Sequence, residues 1–224
     1  MRLQPTSRRP PDKAMRLQEG ADSASQAASI ARAELLERLQ YFKLEPRVIV
    51  DLGCGSGASA AALRRRFPRA RVVAVDIDVA MTQQSQRGQR FWRRFDCVCA
   101  DARALPFAAQ SVDLVFSNLL LQHCDDPPRV FAEVQRALQP AGLLLFATLG
   151  PGTAPHLPDM QRLGAALGAA GLAEPVMDRE AVSDFELIYG VAFAGRHAGS
   201  ATANDNADVE ALVPLSSLRR RPRP

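Results

Sequence analysis

An acid followed by three glycines at alternate positions is the part of this sequence with the clearest chemical meaning. The run Asp51-Leu52-Gly53-Cys54-Gly55-Ser56-Gly57 comes directly after the apolar stretch 48–50 and directly before a helix-like segment at 58–66. Glycines at this spacing let a ligand approach the backbone closely, because no Cβ stands in the way. The run differs from the dinucleotide-binding fingerprint, in which two residues precede the third glycine.

The charge of Asp51 indicates what kind of ligand this loop takes. A carboxylate at the mouth of the loop repels a pyrophosphate, but it attracts an ammonium group. S-adenosylmethionine carries both an amino-acid moiety and a positively charged sulfonium. The sequence therefore favours an S-adenosylmethionine site formed by Asp51, Gly53, Gly55 and Gly57, and phosphate binding is the weaker interpretation.

Two further acids follow the next two apolar runs. Asp76 comes at the end of the strand-like run 71–75, where an acid accepts hydrogen bonds from ribose hydroxyls in nucleotide-binding α/β folds. We assign the neighbouring Ile77 to the same site, whereas Asp78 is expected to cap the following helix. Asp101 and Ala102 follow the run 97–100 and are expected to hold the adenine amino group and ring nitrogen. Acids after three successive strands make the cofactor prediction specific.

Candidates for the chemical step are fewer. Asn118 follows the fourth strand and is expected to border the transferred methyl group, with a simple turn cap as the alternative. His123 is the one histidine near the strand ends, and it either activates an oxygen or nitrogen acceptor or only lines the pocket. If the methyl acceptor is a carboxylate, it is already ionised at neutral pH, so that methyl transfer needs no general base. We therefore assign no catalytic residue. No metal site is expected, because the four cysteines show no CxxC pair and no zinc-ligand spacing.

Strand-like and helix-like segments alternate along the chain, which predicts an α/β Rossmann-like fold with a mostly parallel sheet. The last two strand segments are separated only by Ser183-Asp184, a link that permits an antiparallel hairpin and excludes a helical crossover. Pro140-Ala141-Gly142 is predicted to be a turn. The seven predicted strands are 48–50, 71–75, 97–100, 112–117, 143–148, 175–182 and 185–193. The predicted helices are 30–42, 58–66, 79–94, 128–138 and 158–171.

The distribution of charge sets the expected domain boundaries. The net charge of +4 arises from residues 1–20 and the last six residues, which carry +3 and +4, while the remaining body is acidic. We expect a disordered basic lead at 1–27, one domain at 28–195 and a disordered Arg-rich tail at 196–224. Basic tails can contact nucleic acid or anionic lipid, but solvated disorder is favoured. Trp92 with Arg93 and Arg94 suggests a stacking contact with nucleic acid, yet packing on a helix surface is the better interpretation.

The compartment and the oligomeric state are further expectations. The N-terminus lacks the apolar region of a secretory signal, and no apolar run reaches the length of a transmembrane helix. Unpaired cysteines fit a reducing compartment. We expect a cytoplasmic monomer with no nucleic-acid or membrane partner.

Several runs of this sequence together resemble a known family. Residues 47–153 resemble class I S-adenosylmethionine-dependent methyltransferases of the methyltransferase-11 type. The matching runs are 50–57, 75–76, 100–102 with Leu105-Pro106-Phe107, and 112–118. Within that group, the chain resembles the biotin-pathway malonyl-acyl-carrier-protein O-methyltransferases. The runs 117–122, 145–153, 159–160, 175–178 and 185–190 carry this second resemblance.

The resemblance implies a carboxyl O-methyltransferase that uses S-adenosylmethionine, with the malonyl thioester of acyl carrier protein as acceptor and partner. Two departures accompany it. Family members have a helical segment of several tens of residues where this chain has Ser183-Asp184, and they begin with an aromatic-containing segment that 1–27 does not resemble. Two alternatives therefore stay open. One is a hydroxylase-type assembly factor of respiratory complex I, and the other is a shortened, non-catalytic paralogue that keeps the cofactor-binding core.

Overall fold

A seven-stranded sheet forms the centre of the computed structural model, which describes residues 13–89, 94–195 and 210–211. The strands lie in the order β3-β2-β1-β4-β5-β7-β6. Strands β1 to β5 pair in parallel, and β7 pairs antiparallel with both of its neighbours. The predicted fold class, mostly parallel with an antiparallel C-terminal hairpin, is confirmed. The strands are β1 Val48–Leu52, β2 Arg71–Asp76, β3 Asp96–Cys99, β4 Val112–Asn118, β5 Leu138–Leu149, β6 Leu172–Val182 and β7 Phe185–Ala194.

Helices cover both faces of the sheet. They are α1 Lys13–Arg38, α2 Ala58–Arg66, α3 Val79–Arg87, α4 Pro127–Ala137 and α5 Met160–Ala169, with short 3₁₀ turns at Leu39–Tyr41 and Leu121–His123. Aspartates begin three of them: the side chains of Asp78, Asp126 and Asp159 accept hydrogen bonds from backbone N–H groups in the first turns of α3, α4 and α5. The prediction that Asp78 caps a helix is confirmed.

Two apolar layers make up the core, one on each face of the sheet. Alternate residues of the central strands belong to opposite layers, as the period of a strand requires. Ile49 packs on the face covered by α1 and α2, and Val50 packs on the face covered by α4 and α5. Among the described residues, no helix is both long and apolar enough to cross a membrane.

Helix α1 begins earlier than predicted. Residues 13–27, expected to belong to a disordered lead, are helical, so that prediction is wrong for this segment. The segment has few large apolar side chains and shows no clear hydrophobic period, but it is rich in alanine, the strongest helix former. Ala27, Ala31 and Leu35, four residues apart, form the buried face of the helix. Residues 1–12 lie outside the described residues.

The C-terminal segment also departs from its prediction at one point. Glu210–Ala211 pairs with Phe42–Lys43 as a two-residue antiparallel ladder, within the predicted disordered tail. The rest of the tail, 196–209 and 212–224, lies outside the described residues. So do Arg90 to Arg93, which include the proposed stacking residue Trp92, and helix α3 ends before them at Arg87.

The predicted turn at Pro140-Ala141-Gly142 is a bulge inside a longer strand. Leu138 pairs with Val112 and Leu143 pairs with Leu114, so β5 accommodates three extra residues between these two pairs. Ala141 has a φ of 62°, and a Cβ at Gly142 would lie 2.8 Å from the carbonyl oxygen of Gln139. The local turn geometry was therefore predicted correctly, but the strand continues through it. The hairpin at Ser183-Asp184 is confirmed, with β6 ending and β7 beginning on either side.

Candidate functional site

A cleft of about 630 Å³ opens at the carboxyl ends of β1, β2 and β4. This is the edge at which ligands bind in open α/β sheets, because the strand order reverses there. The glycine loop and the start of α3 form one side of the cleft. The chain that follows β4, helix α1 and Phe185 of the hairpin also line the cleft.

The glycine loop is tied to β2 and leaves one position open. The backbone N–H groups of Gly53 and Cys54 both donate to the carbonyl oxygen of Val75, at 2.8 and 3.0 Å. Gly53 has a φ of 76°, and a Cβ there would lie 2.8 Å from the Cβ of Leu120. Gly55 also has a positive φ, but a Cβ at Gly55 would meet no atom within 4 Å. The loop therefore presents bare backbone to the cleft at Gly55, where a ligand can approach it.

Asp51 lies in β1 directly before this loop; its side chain is fully buried and does not line the cleft, whereas it was predicted at the mouth of the loop. Within the described part of the chain, no donor makes a well-formed hydrogen bond to either carboxylate oxygen, although the backbone N–H of Ala60 acts on the group. Burial raises the pKa of Asp51 to about 7, and the charge of Asp76 adds to this, while the Ala60 N–H and Arg32 lower it. A buried carboxylate either takes up a proton or pairs with a cation, and the ammonium group of an amino acid is one such cation.

Asp76 is held so that its carboxylate faces the cleft. One of its oxygens accepts from the N–H of Gly55 at 2.8 Å, and the other accepts from the N–H of Asp78 at 3.0 Å. Each oxygen retains lone pairs for a hydroxyl donor, as the predicted ribose contact requires. Beside it, Ile77 is 65% exposed although it is apolar. This exposed surface lines the cleft and suits contact with a flat ring.

A smaller cavity of about 230 Å³ adjoins the cleft and contains Asp101 and Ala102. Both carboxylate oxygens of Asp101 accept hydrogen bonds from Arg103, the shortest being 2.8 Å from its Nη2 and 2.8 Å from its backbone N–H. These hydrogen bonds from Arg103 lower the pKa of Asp101 to about 2. An adenine amino group would therefore have to share Asp101 with Arg103. Sequence reasoning missed Arg103, whose only signal was its position two residues after the acid.

Asn118 lies between helix α1 and the cleft. Its side-chain N–H donates to the carbonyl oxygen of Ala28 at 3.0 Å, and its Oδ1 is buried with no hydrogen-bond partner among the residues described. Asn118 lines the cleft, and its side chain joins two elements instead of capping a turn. That it borders the methyl group stays a prediction. His123 is exposed at the same end of the cleft. The neighbouring Gln122 donates to Leu119 and accepts from Thr148.

Helix α1 is the part of the site that sequence reasoning did not identify. Ala24, Ala27, Ala28 and Arg32 line the cleft. One turn after Glu34, the guanidinium of Arg38 donates to both oxygens of Asp178, at 2.8 and 2.9 Å, and it lies 4.4 Å from the centre of the Tyr189 ring. This buried ion pair fixes α1 to the C-terminal hairpin.

Asp113, quoted above as part of a matching run, has a structural role. One of its oxygens accepts from the N–H groups of Arg47 and Val48, at 2.9 and 2.7 Å, and so fixes the start of β1. Because β1 leads into the glycine loop, this contact helps to set the position of the loop.

Comparison with known proteins gives matches to methyltransferases. A family model described as "Methyltransferase domain" matches residues 50–146. The malonyl-[acyl-carrier protein] O-methyltransferase of Gallionella capsiferriformans is 38% identical over 79% of this chain and 69% of its own length. The enzyme of the same name from a Methylovorus species is 39% identical over 75% of this chain and 63% of its own length. Across the first four such relatives, the chain spans 55–69% of their lengths.

Solved structures agree on the fold. The methyltransferase of a Haloferax volcanii complex with the Trm112 activator superposes with a TM-score of 0.63, at 22% identity, over 79% of this chain and 96% of that chain. Phosphoethanolamine N-methyltransferase 2 of Haemonchus contortus, solved with S-adenosyl-L-methionine, gives a TM-score of 0.62 over 73% of this chain and 52% of its own. The methyltransferase domain match and the methyltransferase relatives identify the cofactor as S-adenosylmethionine, and the open Gly55, the buried Asp51 and the exposed Ile77 fit it. The chain belongs to the family of malonyl-[acyl-carrier protein] O-methyltransferases, which are S-adenosylmethionine-dependent enzymes.

Proposed function

We propose that this chain transfers the methyl group of S-adenosylmethionine to the free carboxyl group of a malonyl thioester on acyl carrier protein, in biotin synthesis. One structural observation supports the donor half most directly: Asp51 is buried without a well-formed hydrogen bond, directly before the loop whose backbone is open at Gly55. The names of the relatives support the acceptor half. These relatives do not favour the assembly-factor and non-catalytic alternatives.

Each of the predicted cofactor residues is assigned to a different part of the methyl donor. When bound, the cofactor supplies an electrophilic methyl group on a positively charged sulfur. Asp51 faces the ammonium group, Asp76 accepts from the ribose hydroxyls, and Ile77 with Ala102 flanks the adenine. Gly55 lets the loop backbone come close to the methionine portion, whereas Gly53 and Gly57, whose Cβ positions are taken by Leu120 and Ser85, give the loop its shape. These contacts fix the orientation of the methyl group, which is what an in-line displacement requires.

The acceptor half of the cleft needs no general base for this reaction. A malonyl carboxylate is ionised at neutral pH, so it can attack without losing a proton first. The apolar side chains of Leu119, Leu120, Leu149 and Phe185 line the cleft. They would strip water from the carboxylate and so make it a stronger nucleophile. In this proposal His123 lines the acceptor side without transferring a proton, and Asn118 borders the methyl group.

The test is methyl transfer from tritiated S-adenosylmethionine to malonyl-acyl carrier protein. We expect label in a base-labile methyl ester, since an ester is the product of carboxyl methylation. Acetyl-acyl carrier protein is the matched control, because it has the same carrier and thioester but no free carboxyl group. Binding of S-adenosylhomocysteine without any transfer would contradict the proposal and favour a non-catalytic paralogue.

We further propose that the protein is a cytoplasmic monomer. The four cysteines, Cys54, Cys97, Cys99 and Cys124, are free thiols, which supports a reducing compartment. Fractionation of cells and light scattering of the purified chain test the two statements. Recovery in a membrane or periplasmic fraction, or the mass of a dimer, would contradict them.

A further inference from the structure

Helix α1 brings a single arginine to the cleft. Ala24, Ala27 and Ala28 present small side chains to the cleft, and Arg32 lies one turn beyond Ala28 on the same helix face. Arg32 is the only lysine or arginine that lines this cleft in the described part of the chain. Its side chain is half-buried, and its Nη2 donates to the hydroxyl of Ser29 at 3.1 Å.

The surroundings of Arg32 are otherwise acidic. Asp76 and Asp78 line the same cleft, and the fully buried Asp51 lies close enough to Arg32 for the charge of Arg32 to lower the pKa of that carboxyl group. Yet the oxygens of Asp51 accept no hydrogen bond from Arg32, and the ion pairs between described residues do not include Arg32. A guanidinium has five N–H donors, so most of those of Arg32 remain for a ligand.

We propose that Arg32 binds a carboxylate within the cleft, as a positioning residue for methyl transfer. The fork of a guanidinium matches the two oxygens of a carboxylate and fixes its orientation as well as its charge. This inference rests on the proposed function, which brings two carboxylates into the cleft: that of the cofactor's amino-acid moiety and that of the malonyl group. With Asp51 beside it, Arg32 completes a pair of opposite charges that matches a zwitterionic amino acid.

Arg32→Gln tests the proposal, because glutamine keeps helix propensity and polarity but removes the charge. Arg87→Gln is the matched control, an exposed arginine in the last turn of α3 and outside the lining of the cleft. Calorimetric titration is carried out with S-adenosylhomocysteine, which has the amino-acid moiety, and with methylthioadenosine, which lacks it. If Arg32 holds the cofactor, Arg32→Gln should weaken S-adenosylhomocysteine about 10- to 100-fold and leave methylthioadenosine unchanged.

If Arg32 holds the acceptor instead, both titrations should stay unchanged while the KM for malonyl-acyl carrier protein rises by about tenfold or more. Arg32→Lys should restore part of either loss, because lysine keeps the charge without the fork. Unchanged binding and unchanged KM would overturn the proposal. An equal loss for S-adenosylhomocysteine and methylthioadenosine would also overturn it, since that indicates general damage to the cleft.

Failure of the proposed function gives a different pattern. A wild-type chain that transfers no methyl group to malonyl-acyl carrier protein still binds both nucleosides if the donor half is intact. In that case, a selective loss of S-adenosylhomocysteine in Arg32→Gln supports Arg32 as the carboxylate-binding residue, and equal binding by wild type and variant overturns it. Thermal unfolding of both variants shows whether α1 remains folded.

Discussion

The ammonium group of S-adenosylhomocysteine should lower the pKa of Asp51 when the ligand binds. Without a ligand, burial holds this pKa at about 7, so the carboxyl group is largely protonated in mildly acidic solution. Only the ionised form attracts the ammonium group. Between pH 5.5 and 7.5, the ionised fraction of such a group rises from about 3% to about 75%, and the affinity should therefore rise roughly 25-fold.

Calorimetric titration measures both the affinity and the proton that accompanies it. At pH 6.5 about 0.75 proton should be released per ligand bound, which appears as a dependence of the observed heat on the ionisation enthalpy of the buffer. Two controls isolate Asp51: methylthioadenosine, which has no ammonium group, and Asp51→Asn, which cannot ionise. Both should bind with little dependence on pH. An affinity for S-adenosylhomocysteine that is flat over this range, without proton release, would refute the role given to Asp51.

The same pKa affects stability without ligand, and the sign follows from its direction. Since the folded pKa is raised above the unfolded value, protonation of Asp51 favours the folded state in acid, and this contribution is lost as the pH rises through about 7. Asp51→Asn lacks this dependence. Between pH 5 and pH 7.5, the free energy of unfolding of the wild type, measured by urea denaturation, should therefore fall by about 2.5 kcal/mol relative to that of Asp51→Asn. Parallel pH profiles for the two proteins would contradict the buried, ionisable state of Asp51.

Three other substitutions should have separable effects. Arg38→Ala should lower the free energy of unfolding by about 3–5 kcal/mol, because it removes the cation of the Asp178 ion pair; urea denaturation measures this, and a loss below about 1 kcal/mol would contradict it. Gly53→Ala should lower it by about 1–3 kcal/mol through its positive φ and its clash with Leu120, whereas Gly168→Ala, in α5 with open space around it, should not. Asp76→Asn should weaken S-adenosylhomocysteine and methylthioadenosine alike, by about tenfold or more in calorimetry, because both share the ribose; a selective loss of either argues against a ribose contact.

The donor half of the site could be predicted from sequence because its signals are local. Apolar runs mark the strands, and Asp51, Asp76 and Asp101 follow or end three of them, so parallel pairing alone brings these acids to one edge. The loop conformation likewise follows from where the glycines stand. What the sequence could not show is the state of each acid. The unpartnered burial of Asp51 and the ion pair between Asp101 and Arg103 both depend on side chains placed by the fold.

The cleft wall that α1 forms could not be predicted, because its signals are not local. Its cleft-facing residues are mostly alanines, which carry neither a hydrophobic period nor a charge that indicates function. Their position is set by contacts with distant parts of the chain. The hydrogen bond from Asn118 to Ala28 spans 90 residues of sequence, and the one from Arg38 to Asp178 spans 140.

These two contacts lie on either side of Arg32 along the helix and join it to different parts of the sheet. Asn118 belongs to β4, next to the glycine-loop strand β1, and Asp178 belongs to β6, in the C-terminal hairpin. The side chain of Glu186 in that hairpin also accepts the N–H of Gly152, at 2.6 Å, which ties the chain after β5 to it. The short Ser183-Asp184 turn therefore does not leave the acceptor side without a wall. Helix α1 and the hairpin hold each other in place. The contacts of Ala28 with Asn118 and of Arg38 with Asp178 therefore also position Arg32 at the cleft.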